Sequence, residues 1–180
     1  MGGIFTSIGG IARDRIAAFD ENGAVTDWNP GADNIIRSIY IDDGTVYVGG
    51  EFTMIGGQPR SRLASFDASG NLTDWDPSPS GAVWDLDMEG STLYAGGSFL
   101  RMGSEFRHRL ASFNSDGTLT TWNPAANDVV KSISIDGSLV YACGDFTSMG
   151  GANRNGLAAV SITGTGSVSG WDPSAATGSE

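Results

Sequence analysis

The sequence has very little of the chemistry on which enzymes and metal sites depend. Its 180 residues include one cysteine, Cys143, and one histidine, His108. A lone cysteine cannot close an internal disulfide, and the two residues together cannot supply the Cys/His cluster of a zinc site. No Ser/His/Asp or Cys/His catalytic arrangement can be argued from this histidine, because no partner stands at an informative spacing from it. The sequence therefore predicts no catalytic residues, no metal and no other cofactor.

Positive charge and long apolar runs are also scarce. Lysine and arginine total 10 against 21 aspartates and glutamates, which gives a net charge of −11. An acidic chain repels nucleic acid and anionic membrane surfaces. The sequence contains no run of about 18 apolar residues, the length that a membrane-spanning helix needs. No signal peptide follows Met1. We therefore expect neither nucleic-acid binding nor membrane insertion.

Glycine and repetition are what the sequence has in abundance. There are 27 glycines, while 39% of the residues are apolar, as expected for short strands joined by tight turns. Landmarks recur at a step of 47 residues, with the last tryptophan two residues late: Phe5, Phe52, Phe99 and Phe146; Arg13, Arg60, Arg107 and Arg154; Trp28, Trp75, Trp122 and Trp171. Such a period is typical of a solenoid or a propeller.

One repeat predicts four strands. In the copy at residues 30–76 they are Ile35–Ile41, Thr45–Phe52, Arg62–Asp67 and Leu72–Asp76. Asp43-Gly44 predicts a hairpin turn between the first two, and the connection before the third is predicted to be a loop held to the core by Ile55. The pattern predicts an all-β propeller of four-stranded antiparallel blades. We expect one domain over residues 1–180, with about fifteen strands in units of about 1–29, 30–76, 77–123 and 124–173, the first lacking its opening strand.

A longer motif carries a family resemblance. Residues 49–77 read Gly-Gly-x-Phe-Thr-x-Ile-Gly-Gly, then Arg-x-Arg-Leu-Ala-x-Phe-Asp, then Gly-x-Leu-Thr-x-Trp-x-Pro. With the Val-Tyr-Val-Gly-Gly type of segment at Ile36–Gly50 and Val130–Gly144, this resembles the bacterial delta-sixty repeat β-propeller family. The resemblance implies a propeller from a large secreted or surface-attached bacterial protein, hence an extracellular or cell-surface location, and no catalytic residues. The chain departs from the motif at Ser104, Gly156, Val160-Ser161 and Thr163–Gly166.

Two classes of function fit these observations. One is a non-catalytic binding or scaffolding propeller for an unknown protein or carbohydrate; the alternative is a glycan-binding, lectin-like or hydrolase propeller with a site built by several blades. The candidate ligand-binding residues are Arg37, Trp84 and Lys131, which are equivalent, 47 residues apart and chemically different. A deep pocket lined by unrepeated residues would favour the alternative, because one active site needs unique groups.

The repeated residues are interpreted as structural. We expect Arg13, Arg60, Arg107 and Arg154 to form forks with an aspartate such as Asp20 or Asp67, or with loop carbonyls. The tryptophan of each Trp-x-Pro is expected to be mostly buried, so that Trp75→Ala would cost about 3–5 kcal/mol. The Asp-x-x-Gly turns are explained by turn chemistry without calcium.

The chain begins and ends within the phase of the repeat. We therefore expect an apolar blade face at each end unless something covers it. Either the natural protein is longer, or two copies meet head-to-tail in an eight-bladed homodimeric ring, with Gly2–Phe5 and Ser174–Glu180 at the joints.

Overall fold

The computed structural model describes residues 1–173, which form seventeen strands and no helix. The all-β prediction is confirmed. None of the described residues belongs to a helix that is long and apolar enough to cross a membrane. The chain divides into two compact units, here called unit 1 (Met1–Ser78) and unit 2 (from Pro79 onward).

Unit 1 is built around one three-stranded antiparallel sheet. Its strands are β1 (Ser7–Ile8), β2 (Ile11–Ala12), β3 (Ile36–Asp42), β4 (Thr45–Gly50), β5 (Met54–Ile55), β6 (Gln58–Pro59) and β7 (Leu63–Phe66). The sheet has the order β3-β4-β7. The β3–β4 turn has positive φ at both central residues, 42° at Asp43 and 78° at Gly44. This is the geometry that Asp-Gly favours in a two-residue hairpin, as predicted.

Unit 2 repeats this sheet twice. Its strands are β8 (Val83–Glu89), β9 (Thr92–Gly97), β10 (Arg101–Met102), β11 (Glu105–Phe106), β12 (Leu110–Phe113), β13 (Val130–Asp136), β14 (Leu139–Gly144), β15 (Ser148–Met149), β16 (Ala152–Asn153) and β17 (Leu157–Ser161). The sheets have the orders β8-β9-β12 and β13-β14-β17. Within unit 2, apolar side chains of both sheets form one core that includes Tyr94, Trp122, Val140 and Phe146.

The predicted fourth strand of each repeat is reduced to a single bridge. The bridges are Phe19 to Val25, Phe66 to Leu72, Phe113 to Leu119 and Val160 to Val168. In the second copy the Thr73 N–H still donates to the Ser65 carbonyl at 2.9 Å, whereas the Thr73 carbonyl accepts a hydrogen bond from Arg60 at 2.8 Å. The prediction of a strand over Leu72–Asp76 is therefore wrong, because a side chain takes up this carbonyl oxygen.

The predicted loop between the second and third strands contains a hairpin of its own. The pairs β1–β2, β5–β6, β10–β11 and β15–β16 are these hairpins, each with two residues per strand. They contribute eight of the seventeen strands, and the three-stranded sheets contribute the other nine. The expected fifteen differ because the fourth strands are single bridges and residues 1–29 form no strands besides β1 and β2. Ile55, Met102 and Met149 are buried, so the hairpins are anchored to the core as expected for the loop.

Candidate functional site

The three candidate ligand contacts share one structural position. At Arg37, Trp84 and Lys131 the pairing between the first and second strands of the sheet shifts by one residue, which is a β-bulge. A bulge redirects a side chain and is frequent beside binding sites. Arg37 belongs to unit 1, whereas Trp84 and Lys131 belong to unit 2. Their role in ligand binding stays a prediction.

Both cations at the bulges have carboxylate partners. Arg37 donates to Glu51, with its Nε at 2.8 Å from Oε1. Lys131 Nζ lies 2.6 Å from Asp145 Oδ1. The side chains of these pairs are 28–51% exposed. Such exposed pairs contribute about 0–1 kcal/mol to stability, so a ligand could replace either carboxylate at low cost.

The repeated arginines hold the backbone. Each donates to the carbonyl of the preceding residue and to a carbonyl about one strand further on: Arg13 to Ala12 and Thr26, Arg60 to Pro59 and Thr73, Arg107 to Phe106 and Thr120, Arg154 to Asn153 and Ser169. Arg154 also lies 3.4 Å from Asp172. The sequence left two kinds of partner open for these arginines, an aspartate such as Asp20 or Asp67 and the loop carbonyls. The structure shows backbone carbonyls as the partners that all four arginines share. A planar guanidinium can reach both oxygens at once.

This geometry makes a prediction for Arg107→Lys. An ammonium group is a single point and cannot reproduce the fork, so we expect the free energy of unfolding to fall by about 1–3 kcal/mol. Arg37→Lys is the matched control, since Lys131 occupies the equivalent bulge; its effect should stay within about 0.5 kcal/mol. Urea unfolding followed by circular dichroism measures both. Equal effects of the two substitutions would contradict the structural role of the fork.

The tryptophans of the repeat differ in exposure. Trp122 is 2% exposed, Trp28 and Trp75 are half-buried, and Trp171 is 43% exposed. The prediction that each is mostly buried is therefore wrong for Trp171. Its ring meets that of Tyr141 edge-on at 5.4 Å, and the indole also borders a small cavity with Cys143 and Leu157.

Trp122 has neighbours on two sides. Its ring meets Tyr94 at 5.1 Å and 88°, and its Nε1 donates to the Ser161 carbonyl at 2.7 Å. Gly166 lies so close that a Cβ there would be 2.7 Å from the same nitrogen. The difference from Trp171 therefore lies in what surrounds each indole, since both follow the same motif.

Unit 1 carries an apolar groove with a volume of about 520 Å³. We call it the unit 1 groove. Its lining includes Met1, Phe19, Trp28, Ile39, Ile41 and Val46, together with Ala68 and Gly70. Ile41 and Met1 are both 65% exposed, and Phe19 is 39% exposed. Trp28, Ile39 and Val46 belong to the repeat, so the groove is not a pocket of unrepeated residues.

Arg101, Phe106 and His108 form a cluster that the sequence analysis did not predict. The Arg101 guanidinium carbon lies 3.6 Å from the centre of the Phe106 ring, and the His108 ring is 6.1 Å from the same ring. Phe106 is 55% exposed. These residues are not repeated: the positions of Arg101 and Phe106 hold Met54 and Pro59 in the preceding copy. The β10–β11 hairpin therefore differs in sequence from the hairpin of the preceding copy, and this difference could have indicated the cluster.

The aspartates of the turns bond to their own loops. Asp67 Oδ1 accepts hydrogen bonds from the backbone N–H groups of Asn71 and Ser69, both at 2.9 Å. The hydrogen bond from the Asn71 N–H is the main reason why the pKa of the Asp67 carboxyl is lower than usual. Within residues 1–173, no group of three or more His, Cys, Asp or Glu side chains is placed to hold a metal ion.

Comparison with known proteins agrees with the repeat. A family model described as a domain of unknown function (DUF5122) beta-propeller matches residues 42–72. This range runs from the end of β3, through β4 and the β5–β6 hairpin, to the residue that bridges β7. No curated protein matches the chain. The match supports a β-propeller repeat family, and it carries no activity or ligand.

Proposed function

We propose that this chain is a non-catalytic binding module built of β-propeller blades, and that the unit 1 groove docks an extended apolar segment of another protein. The observation that carries the proposal is the groove itself, which exposes Ile41, Phe19 and Met1 on the side of a regular sheet. Extended segments bind to sheets through alternate side chains that enter apolar pockets. The family match supports the propeller repeat and is compatible with a binding role.

The chemistry of the groove favours binding over catalysis. Most of its lining is aliphatic or aromatic, and Asp67 is the ionisable side chain among the lining residues. The carboxylate of Asp67 is engaged by the turn that it closes. A surface of this kind excludes water from apolar side chains, which is what protein docking requires.

The finer assignment is also a proposal. The motif at residues 49–77 supports membership of the delta-sixty repeat β-propeller family, and through it a location on or outside a bacterial cell. Within such a protein, the bulge residues Arg37, Trp84 and Lys131 would offer additional polar and aromatic contacts. Their chemical variety fits a surface that is adapted to a partner, whereas the repeated arginines fit the structure.

The test uses a library of displayed peptides. Panned on the wild-type protein, the library should yield clones with alternating apolar residues. Ile41→Asp places a charge in the groove and should weaken these clones by about tenfold or more, since burial of an unpaired carboxylate is costly. Ile4→Asp is the matched control, because Ile4 is 75% exposed in the same unit and does not line the groove.

Two results would count against this function. One is a set of clones that bind Ile41→Asp as tightly as they bind Ile4→Asp. The other is specific binding to immobilised glycans with no peptide enrichment, which would instead favour a lectin-like propeller.

A further inference from the structure

We infer that the Arg101 cluster, formed by Arg101, Phe106 and His108 on and beside the β10–β11 hairpin, binds a carboxylate side chain of a partner protein that has an apolar residue next to it. The Arg101 guanidinium receives the carboxylate, and Phe106 and Leu100 supply the apolar contact. This site lies in unit 2 and shares no residue with the unit 1 groove, so the inference goes beyond the proposed function.

The Arg101 guanidinium is held in place by two contacts. Its carbon lies 3.6 Å from the centre of the Phe106 ring, which sets the plane of the group. Its Nη1 donates to the Ser104 carbonyl at 2.8 Å, which sets the direction of the group within that plane. A guanidinium fixed in this way loses less conformational freedom when it binds a ligand than a mobile side chain does.

Two nitrogens on one edge of this guanidinium stay open. Within residues 1–173, Arg101 Nε and Nη2 donate to no protein group, and no carboxylate lies within ion-pair distance of the side chain. Neither nitrogen is buried, in contrast to Arg107 Nε. The same two nitrogens of Arg37 both donate to Glu51. The open edge of Arg101 is therefore the group with which this protein binds a carboxylate elsewhere.

The third copy lacks the carboxylate that accompanies this hairpin in the second copy. There Asp33 Oδ1 accepts a hydrogen bond from the backbone N–H of Met54 at 3.0 Å. The equivalent residue 47 positions later is Ser80, whose Oγ accepts from the backbone N–H of Arg101 at 3.1 Å. The backbone is thus held as in the second copy, but no carboxylate stands at that position to pair with the arginine.

Apolar side chains are exposed beside Arg101 in the chain and opposite it in the hairpin. Phe106 is 55% exposed and Leu100 is 45% exposed. The preceding copy holds Pro59 and Thr53 at these two positions. Aromatic residues and arginine are enriched at protein–protein interfaces, especially in their buried centres. An apolar side chain of the partner can therefore cover the part of the Phe106 ring that the guanidinium leaves open.

The charge around the cluster differs from that of the whole chain. Residues 100–109 contain three arginines and one acidic residue, Glu105, whereas the chain has a net charge of −11. Because side chains alternate along a strand, Glu105 lies on the face of the hairpin opposite to the neighbouring Phe106. Exposed charges more than about 8 Å away are largely screened at physiological ionic strength. An acidic partner segment is therefore attracted locally.

The polar groups of the cluster fit a carboxylate better than a sugar or a phosphate. A sugar carries hydroxyl groups around its ring, and burial without partners is costly for them, while the cluster offers one guanidinium edge and the imidazole of His108. A phosphate on a side chain carries a charge of about −1.5 to −2 and is bound by groups of arginines. The nearby Arg107 is engaged by two backbone carbonyls. One carboxylate matches the two open donors of Arg101.

The test begins with a peptide display library panned on the Ile41→Asp protein, in which the unit 1 groove is blocked. We expect clones that place aspartate or glutamate next to an apolar residue. The best clone is synthesised with its acidic residue and with the matching amide, and both peptides are titrated by fluorescence anisotropy. The amide peptide should bind at least about tenfold more weakly, because a hydrogen bond between two charged groups is lost.

Three variants in the same background locate the bound peptide. Arg101→Gln should weaken binding of the acidic peptide by at least about tenfold. Arg101→Lys keeps the charge but loses the pair of donors, so its affinity should lie between those of the parent and Arg101→Gln. Ser148→Ala changes the equivalent position of the β15–β16 hairpin and should alter the affinity by less than about twofold. Circular dichroism checks that each variant keeps the fold.

A resonance of the arginine itself gives a readout that a folding defect cannot imitate. In the ¹⁵N-labelled wild-type protein, the Arg101 Nε–H resonance should move saturably with the acidic peptide and stay in place with the amide peptide. The Arg107 Nε–H resonance is the internal control, because that nitrogen is buried and its guanidinium is engaged by the backbone.

The outcomes separate this inference from the proposed function. If peptides bind the groove of the wild-type protein but panning on Ile41→Asp yields no acidic clones, the inference is wrong and the docking function stands. Acidic clones that depend on Arg101, without any clones that depend on Ile41, would have the reverse meaning. Clones that bind Arg101→Gln as tightly as the parent overturn the inference. A phosphopeptide or an acidic glycan that binds through Arg101 more tightly than the carboxylate peptide also overturns it.

Discussion

Replacing Trp122 with alanine is expected to lower the free energy of unfolding by about 3–5 kcal/mol. The indole is 2% exposed, packs edge-on against Tyr94 and donates to the Ser161 carbonyl. Its removal leaves a cavity in the core of unit 2 and an unmet carbonyl, and both effects are destabilising. Urea unfolding followed by far-ultraviolet circular dichroism measures the change as a lower midpoint.

Trp171→Ala is the matched control for this substitution. The motif is the same, but the indole is 43% exposed, so its removal should cost about 1 kcal/mol or less. Trp75 is half-buried, so Trp75→Ala should fall between the two, at the lower end of the range expected from the sequence or below it. If Trp122→Ala and Trp171→Ala shift the unfolding midpoint equally, tryptophan burial does not determine stability here.

Gly144→Ala is expected to be the next most damaging single substitution, at about 3 kcal/mol. A Cβ at this position would lie 2.0 Å from the Val129 carbonyl oxygen and 2.9 Å from the Val130 Cα. These are backbone atoms, which cannot rotate away as a side chain can, so the first strand of the sheet must shift. The same clash recurs at Gly50 with Ile35 and at Gly97 with Ala82, at 2.2 and 2.1 Å.

The control for this substitution is Gly170→Ala. No atom lies within 4 Å of a Cβ built at Gly170, and its φ is not in the left-handed region. The substitution should be neutral or slightly stabilising, because alanine restricts the unfolded chain more than glycine does. Thermal unfolding of the two variants compares them directly. If the Gly144→Ala and Gly170→Ala proteins unfold at the same temperature, the strands β13 and β14 tolerate a wider spacing than the structure shows.

Local features were predictable from the sequence. The Asp43-Gly44 hairpin, the all-β content and the burial of Ile55 all follow from turn chemistry and apolar pattern, which act over a few residues. The fourth strand was not predictable in this way. Leu72–Asp76 has the composition of a strand, but the arginine fork at Arg60 competes for the Thr73 carbonyl, and that competitor lies 13 residues away in the chain.

The candidate site was predictable only in outline. The different residues at Arg37, Trp84 and Lys131 indicated a special position, and the structure shows a β-bulge there. No sequence pattern indicated the bulge, because a register shift depends on which residues of the neighbouring strand form pairs. The lining of the unit 1 groove was likewise not predictable residue by residue, since its repeated members match residues that are buried in unit 2.

By itself, therefore, the sequence determined the period of 47 residues, the all-β character of the repeat and the hairpin turn at Asp43-Gly44. The tertiary structure alone decided which copies of a repeated residue are buried and which are open. The reason is physical: backbone conformation is set by neighbours along the chain, whereas burial is set by whichever sheet packs alongside. Trp122 and Trp171 share one motif, and Ile41 and Ile135 share one position, yet each pair differs in exposure because different groups lie beside its members.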